Sequence, residues 1–320
     1  MVNIKILRVV VPTMLKSNMR LDKVLAKLFF EYSRTCLKKW ILNNQVNING
    51  KVFSKPNTKV LFGDEITIKI IHNSYLNSLK YPQKIPLNII YEDNDILVIN
   101  KQANLVVHPG AGHKDGTLLN ALLYQNHNFL SIPRAGIIHR LDKNTTGLMV
   151  IAKNVLSYNN LAKSMKSRKI VRKYEALVYG RVISGGSVFA SIKRHPFRRT
   201  IMTTGVVGKK AITHYRIIKR FSCYTHLMIQ LETGRTHQIR VHMLSINYPI
   251  IGDREYGNKY KFSRNMVASV HKVVKAFPRQ ALHASELCLK HPTTNLWMKW
   301  NSPIPKDMLD LLSHLNLYNT

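Results

Sequence analysis

The sequence predicts an α+β protein whose main sheet is mixed and mainly antiparallel. Short apolar runs of strand-like length recur after Pro86, and turn residues separate them. Only a few stretches have the spacing of amphipathic helices, and they do not alternate regularly with the strands. A doubly wound parallel sheet requires such alternation, so that class is not expected. A chain of 320 residues is long enough for one large and one small domain.

The N-terminal segment, residues 1–17, is expected to form a short strand or arm. Its apolar run from Ile4 to Met14 is interrupted by Arg8 and Pro12. A run this short and this interrupted is typical of neither a signal peptide nor a membrane span. We therefore expect a cytoplasmic protein with no membrane partner.

Residues 18–72 are predicted to form a small domain. Apolar residues mark one face of a first helix and one face of a second: Leu21, Val24, Leu25, Leu28 and Phe29, then Leu37, Trp40 and Ile41. An Asn49-Gly50 pair inside an alternating segment predicts a hairpin turn. The second helix carries three cations on its outer side, Arg34, Lys38 and Lys39, for which a solvated helix face is the simpler interpretation.

The next segment is polar and has no period, so residues 73–85 are predicted to be a linker and residues 86–320 a large second domain. The strands predicted in the large domain cover residues 87–91, 96–100, 136–141, 148–152, 174–179, 210–219 and 225–231. Helices are predicted after Gly116-Thr117, over residues 155–167 and after Pro305.

The composition favours a polyanionic partner. Lys and Arg number 49 against 16 acidic residues, which gives a formal net charge of +33. Such a charge attracts phosphate backbones and makes binding sensitive to salt. The richness in Lys, Asn and Ile is also typical of an AT-rich genome, and mutational drift accounts for part of the excess.

No cofactor and no metal are expected. The sequence contains neither a GxGxxG motif nor the GKS or GKT of a phosphate-binding loop. The three cysteines, Cys36, Cys223 and Cys288, form no CxxC pair and are interpreted as reduced thiols. His237 and His242 have a spacing that does not place two ligands on one helix face, so a metal site there is rejected.

Asp142 is the candidate catalytic residue. It follows an apolar run, precedes a turn that ends at Gly147, and is the only acid between Asp115 and Glu175. An aspartate in such a place commonly does no more than cap the turn. A lone carboxylate in a cationic stretch that binds a polyanion indicates chemistry instead.

Two further segments offer partners for this carboxylate. A polar and basic segment that contains Arg235 and Arg240 follows the apolar residues that end at Leu231, and an arginine there could pair with Asp142 and hold it ionised. A phosphate-binding or merely solvated helix start is the alternative. Tyr174 stands at the head of a strand, where it could stack on an unstacked base or simply pack in the core.

A basic ribbon runs from Lys193 to Arg199 and contains Arg194 and Arg198 around one aromatic residue, Phe197. Its cations are interpreted either as a solvated charge run or as contacts to an RNA groove. The pattern alone does not decide between these two interpretations.

The segment His139-Arg140-Leu141-Asp142, followed by Thr145-Thr146-Gly147-Leu148, resembles the signature of the RluA family of pseudouridine synthases. The resemblance covers nearly the whole chain, and residues 18–72 resemble the family's S4-like RNA-binding domain. The paired threonines are most similar to the branch that modifies large-subunit ribosomal RNA. Further blocks in family order are Val106–Gly110, Lys173–Ala176, Gly234–Arg240, Gly252–Asp253, Tyr256–Gly257 and Arg279–Ala284.

The resemblance implies the pseudouridine synthase fold and the isomerisation of specific uridines in large-subunit (23S) ribosomal RNA, with no cofactor. Asp142 is then the essential carboxylate, with Arg240 as its partner. Tyr174 is implied to stack on the base and to take the C5 proton at the end. Arg140, with His139 beside it, is implied to approach the RNA near the extruded nucleotide.

The expected partner is ribosomal RNA, either free or in an assembled large subunit, and the protein is expected to be a monomer. Whether Asp142 attacks C1′ or C6, or removes a proton from C2′, stays open. A non-catalytic RNA-binding ribosome-assembly factor is the alternative, and it does not explain Asp142, Arg240 and Tyr174 together. A metal-dependent nucleoside hydrolase would need acidic ligands that the chain lacks. The cations expected to contact RNA are Arg34, Lys38, Lys39, Arg194, Arg198 and Arg199.

Overall fold

The structure is a computed structural model, and it describes residues 3–15, 18–29, 32, 34–72, 81–110, 112–198, 200–257 and 268–317. Contacts between Cα atoms divide the chain into two compact units, Met1–Pro82 and Gln83–Thr320. Each unit has a hydrophobic core of its own.

The first unit combines two helices with short strands in its described residues. These elements are β1 (Asn3–Val10), β2 (Met19–Arg20), α1 (Leu21–Leu28), α2 (Arg34–Leu42), β3 (Val46–Ile48), β4 (Lys51–Val52), β5 (Lys59–Val60) and β6 (Glu65–His72). An antiparallel sheet has the order β1-β6-β3-β4, and β2 pairs with β5. Apolar residues of both helices pack in one core with those of β3 and β6.

The hairpin predicted in this unit is confirmed. Its turn residues, Asn49 and Gly50, have φ angles of 48° and 79°. Two successive residues with positive φ are what a two-residue type I′ turn requires, and Asn-Gly is the pair that tolerates it best. The short sequence signal was sufficient here because the turn is a local property of the backbone.

The strand predicted within residues 1–17 is present as β1. Strand β1 pairs with β6 along its whole length, from Asn3 opposite His72 to Val10 opposite Glu65, so it belongs to the sheet of the first unit. This pairing depends on main-chain hydrogen bonds between distant segments, which the apolar spacing of β1 does not report. In the predicted linker, residues 73–80 lie outside the described residues, and residues 81–85 have no regular secondary structure.

The second unit is built around one nine-stranded sheet. Its strands are β7 (Ile89–Glu92), β8 (Ile96–Lys101), β9 (Thr146–Ala152), β10 (Val171–Tyr179), β11 (Gly186–Phe189), β14 (Ile212–Arg220), β15 (Tyr224–Leu231), β16 (Leu282–Lys290) and β17 (Trp297–Asn301), while β12 (Ile192–Arg194) and β13 (Met202–Thr204) form a separate hairpin. The order is β11-β14-β15-β10-β16-β9-β8-β7, with β17 beside β16. Among the strand pairs of this sheet in the described residues, only that of β9 with β16 is parallel, so the predicted mixed, mainly antiparallel sheet is confirmed.

Both faces of the central strands are covered. Alternate residues of β8 turn to opposite sides: Leu97 enters the larger core and Val98 a smaller one. The helices are α3 (Leu118–Gln125), α4 (Val155–Lys166), α5 (Gln238–Ser245), α6 (Ala268–Ala276) and α7 (Lys306–Leu317). Helix α4 supplies a buried leucine to the smaller core, and the other four contribute to the larger one. None of the helices in the described ranges has the length and apolar character needed to cross a bilayer.

The prediction of a strand at residues 136–141 is wrong. Pro133–Gly136 is a short 3₁₀ turn in which Arg134 has a φ of 57°. Only Ile137 makes a strand-like bridge, opposite Ile151. The apolar side chains are there for packing, and an apolar run alone does not distinguish a strand from a buried loop.

The sheet fixes the point at which this loop ends. Strand β9 begins at Thr146, and its next residue, Gly147, lies beside Ala284 of β16. Gly147 has a φ of 116°, and a Cβ built there would lie 2.3 Å from the carbonyl oxygen of Ala284. Only glycine allows this approach, so the turn before β9 is tied to the parallel pairing of β9 with β16.

We expect Gly147→Ala to lower the free energy of unfolding by roughly 2–4 kcal/mol, because the added methyl group meets main-chain atoms in a strained backbone conformation. Gly110→Ala is the matched control, since nothing lies within 4 Å of a Cβ at that position. Urea unfolding of both variants measures the difference. Equal unfolding midpoints for the two variants would contradict this account of Gly147.

Candidate active site

The structure brings Asp142, Tyr174 and Arg240 together at one small cavity. The cavity has a volume of about 50 Å³, and Leu231 and Leu282 add apolar lining. A larger cleft of about 560 Å³ shares part of this lining, including Asp142 and Tyr174. The three residues belong to a turn, a strand and a helix that are far apart in the chain.

Asp142 is held by a charge-assisted hydrogen bond. Nη1 of Arg240 donates to Oδ2 of Asp142 at 3.2 Å, and the side chain of Asp142 is 16% exposed. Its backbone carbonyl accepts a hydrogen bond from the amide of Thr145 at 3.1 Å, which closes the turn that the sequence predicted. The carboxylate is therefore accessible but fixed in direction.

Arg240 forms more hydrogen bonds with a second aspartate, Asp253, than with Asp142. Nε and Nη2 of Arg240 donate to the two oxygens of Asp253, at 2.6 Å and 2.8 Å, and Nη2 also donates to Glu255 at 2.7 Å. Burial would lower the pKa of Arg240, but the hydrogen bonds and attraction of these carboxylates together raise it above its ordinary value. The guanidinium is thus permanently charged, and Nη1 is the nitrogen that faces Asp142.

Asp253 is satisfied on every side. Its side chain is 0% exposed. Besides binding Arg240, its Oδ1 accepts hydrogen bonds from the backbone amides of Glu255 and Tyr256, both at 3.1 Å. A fully buried carboxylate with this many donors is held in one orientation.

Helix α5 delivers Arg240 to the site. The helix begins after His237, whose φ is 55°. The loop before it is fixed by Gln238, which accepts hydrogen bonds from the hydroxyl of Thr233 at 2.8 Å and from the amide of Arg235 at 3.0 Å. These contacts set the start of the helix and hence the direction of its first turn.

Two residues of this neighbourhood were not predicted as part of the site. Nδ1 of His237 lies 2.8 Å from Oη of Tyr256, and Nε2 of His237 lies 3.9 Å from Oδ2 of Asp142. The guanidinium of Arg240 lies over the ring of Tyr256, 4.8 Å from its centroid. His237 had been considered as a metal ligand and rejected, and its place beside Asp142 depends on its left-handed backbone just before helix α5, which the spacing of residues does not predict.

Tyr174 forms an aromatic wall of the small cavity. It is 4% exposed and lies on β10. Burial raises the pKa of Tyr174; the charge of Arg172 opposes this shift and that of Asp142 reinforces it, so the phenol is protonated at neutral pH. A neutral ring beside two leucines can receive a flat heterocycle by stacking.

The side chain of Lys101 fixes the main chain of the turn that carries Asp142. Nζ of Lys101 donates to the carbonyls of Gln102, Leu105 and Lys143 at 2.7, 3.0 and 3.0 Å. Burial lowers the pKa of Lys101 to about 7, although the charge of Asp142 opposes this shift. These contacts attach the turn to the end of β8.

Arg279 supports the other side of the same turn. Its Nη1 donates to the carbonyl of Asn144 at 3.2 Å, and its Nε and Nη2 bind Asp307 at 2.7 and 2.8 Å. Gln280 donates to the hydroxyl of Thr145 at 3.1 Å. The position of Asp142 is therefore set by backbone contacts rather than by its own side chain alone.

The remaining predicted residues have different places. Arg140 is exposed and lines both the small cavity and the cleft, whereas His139 lines the cleft and accepts a hydrogen bond from the amide of Val150 at 3.1 Å. Arg194 and Arg198 are exposed and line neither volume. Arg199 lies outside the described residues. The first unit carries the exposed Arg34, Lys38 and Lys39 on α2.

The arrangement suits chemistry by a carboxylate on a flat, neutral ring. An ionised aspartate fixed by a guanidinium can act as a nucleophile or as a base. Tyr174 offers a stacking surface beside it, and Arg140 offers a cation at the entrance. Across the described residues, no group of three or more His, Cys, Asp and Glu side chains is arranged to hold a metal ion.

Comparisons with known proteins agree on one family. A sequence model described as RNA pseudouridylate synthase matches residues 95–245, and one described as S4 domain matches residues 19–66. The ribosomal large subunit pseudouridine synthase D of Buchnera aphidicola subsp. Baizongia pistaciae is 56% identical over 310 residues, which cover 96% of each chain. The protein of the same name from Escherichia coli O6:H1 is 49% identical over 293 residues, 92% of this chain and 89% of that one.

A solved structure shows the likeness of the fold. Human RNA pseudouridylate synthase domain containing 4 has a TM-score of 0.55 with this chain at 23% sequence identity. The match covers 72% of this chain and 93% of the human chain. At this level of identity the likeness concerns the fold alone.

We expect Asp253→Asn to lower the free energy of unfolding by about 3–5 kcal/mol, because it leaves a buried guanidinium with one counter-charge fewer. Glu255→Gln is the matched control, since it removes the same charge from a side chain that is 38% exposed. That change should cost less than about 1 kcal/mol. Denaturant unfolding of both variants measures the two values, and similar losses would show that Arg240 does not depend on Asp253.

Proposed function

This chain belongs to the RNA pseudouridylate synthase family, and from that premise we propose that Asp142, Arg240 and Tyr174 carry out the conversion of uridine to pseudouridine in large-subunit ribosomal RNA. The enzyme is an isomerase with the pseudouridine synthase fold. One observation supports this assignment most strongly. The carboxylate of Asp142 lies 3.2 Å from Nη1 of Arg240 in a cavity that Tyr174 lines.

The reaction makes and breaks bonds within one nucleotide. The N1–C1′ bond breaks, the uracil turns while held, a C5–C1′ bond forms, C5 loses its proton and N1 takes up a proton. The product is therefore an isomer of the substrate, and no redox partner or group donor takes part. Asp142 can serve by attack on C1′, by attack on C6 or by removal of a C2′ proton. Each route needs the ionised carboxylate, and Arg240 fixes its direction through the hydrogen bond from Nη1 to Oδ2.

The target base must leave its stack to reach Asp142. The small cavity is narrow and opens beside the cleft, so it suits one base and not a duplex. Arg140, exposed and shared by both volumes, is placed to contact the RNA where the nucleotide turns out. His139, the residue before Arg140, lines the same cleft.

Tyr174 acts by stacking on the extruded base. Its raised pKa keeps the phenol protonated at neutral pH, so the ring is a poor base on its own. Of the two roles implied by the family resemblance, the stacking role therefore has the stronger physical support. The group that accepts the C5 proton is therefore either this phenol, assisted by a second proton acceptor, or a different side chain.

RNA capture is shared between the catalytic domain and the small domain. Residues 18–72 bind RNA through the cations of α2, residues 73–85 link this domain to residues 86–320, and residues of the β12–β13 hairpin add contacts. The substrate is ribosomal RNA, either free or in an assembled large subunit. The enzyme acts as a monomer in the cytoplasm. The proposed contact residues are Arg34, Lys38, Lys39, Arg194, Arg198 and Arg199.

We expect Asp142→Asn to reduce pseudouridine formation by at least about a thousandfold while RNA affinity changes little, because the shape is kept and the charge is lost. Release of tritium from RNA labelled at C5 of uridine measures turnover. Asp115→Asn, an exposed residue of the second unit, is the matched control and should retain full activity. Turnover retained by Asp142→Asn would remove Asp142 from the catalytic role and favour a protein that only binds RNA.

We expect a protein that lacks residues 1–82 to fold, since residues 83–320 have their own core, and to bind RNA more weakly or less selectively. Replacing Arg34, Lys38 and Lys39 by alanine in the full chain is the control that separates charge from folding. Filter binding and mapping of modified uridines measure affinity and site choice. Unchanged values for both proteins would show that the small domain is dispensable for capture.

A further inference from the structure

Arg172 is a buried arginine that the catalytic set does not use. It is 6% exposed, lines the large cleft, and lies two residues before Tyr174, so both side chains leave the same face of β10. Its Nε is buried without a hydrogen-bond partner. Among the residues that the structure describes, no carboxylate forms an ion pair with it.

The carboxylates of the cleft are already occupied. Asp142 binds Arg240 at 3.2 Å. Glu232, the other carboxylate that lines the cleft, binds Arg168 at 2.8 Å and His214 at 2.7 Å. A buried guanidinium with no counter-charge is unfavourable, so the charge of Arg172 calls for an anion that the described residues do not supply.

The chain leaves room for this guanidinium. A Cβ built on Gly234 would lie 2.8 Å from Nη1 of Arg172. Gly234 does not have a left-handed backbone, so a side chain there would be limited by the space beside the guanidinium and not by the turn. Because Nη1 is the far end of a flexible side chain, a larger residue at position 234 would displace the guanidinium from its place in the cleft.

A second unpartnered group of the cleft is also a donor. The amide of Val150 donates to Nε2 of His139, so the neutral ring carries its proton on Nδ1, and Nδ1 is buried without a partner. Burial, reinforced by the charge of Arg172, lowers the pKa of His139 to about 3, so the ring is neutral at working pH. Two buried donors without acceptors therefore lie on residues that line one cleft, an arrangement that native structures seldom leave unsatisfied.

We propose that Arg172 binds a backbone phosphate of the RNA, next to the nucleotide whose base enters the small cavity. The planar fork of a guanidinium matches two phosphate oxygens. Three further cations that line the cleft could contact the neighbouring phosphates of the RNA: Arg140, Arg168 and Arg235. The cleft then holds the sugar-phosphate backbone while Asp142 and Tyr174 hold the base. This inference rests on the proposed function, because it takes RNA as the ligand.

The first test changes the RNA and leaves the cleft intact. A ribosomal stem-loop is made with a neutral methylphosphonate at the linkage 5′ or 3′ of the target uridine, and binding is measured with Asp142→Asn so that no turnover occurs. We expect affinity to fall about tenfold for one of these linkages, since a charge-assisted contact is lost. With Arg172→Gln added, the unmodified RNA should bind as weakly, and the methylphosphonate should cause no further loss.

The second test uses salt. Plots of log affinity against log salt concentration should lose about 0.7–0.9 of slope in Arg172→Gln and keep it in Arg172→Lys, because the slope counts neutralised phosphates. Arg181→Gln removes the same charge from an exposed arginine that does not line the cleft, and it should leave both affinity and slope unchanged.

The proposal would be overturned if both methylphosphonate RNAs bound as tightly as the unmodified RNA and if Arg172→Gln left the salt slope unchanged. If Arg172→Gln then still slowed turnover, its guanidinium would be a donor to a uracil carbonyl. If Arg172→Gln fails to fold, as thermal unfolding would reveal, the methylphosphonate series with an intact Arg172 decides alone. Failure of the wild-type protein to form pseudouridine in this RNA would sink the proposed function without changing the binding result.

Discussion

The buried ion pair between Arg240 and Asp253 is the interaction on which the site depends. Asp253 binds the guanidinium through both oxygens and is itself fixed by two backbone amides. Because a guanidinium is planar and rigid, holding Nε and Nη2 also fixes the direction of Nη1. Asp142 therefore meets a donor that is already oriented, and the carboxylate does not have to order its own partner.

A second constraint keeps Asp142 on a loop yet in one place. Lys101 and Arg279 donate to carbonyls on both sides of the turn, and Gly147 ties its end to β16. These three contacts act on the main chain and leave the carboxylate free to react. A reactive group on a turn gains access, and its precision comes from the rigid elements beneath it.

Local patterns predicted local structure well. The short apolar runs between turn residues predicted most of the central strands, and the Asn49-Gly50 pair predicted its hairpin, because run length and turn type are properties of a few neighbouring residues. The apolar run at residues 136–141 failed, since a buried loop and a buried strand have the same composition. The convergence of Asp142 and Arg240, which are 98 positions apart, came from resemblance to a family and not from spacing.

The sequence by itself determined the α+β class, the cationic character that favours RNA, and the identity of the lone carboxylate in a basic stretch. Tertiary structure alone decided that Asp253 anchors Arg240, that Tyr256 lies against its guanidinium, and that Arg172 is buried with no counter-charge from the described residues. The reason is physical: periodicity and charge are carried by the order of residues, whereas desolvation and ion pairing depend on which distant side chains share a site.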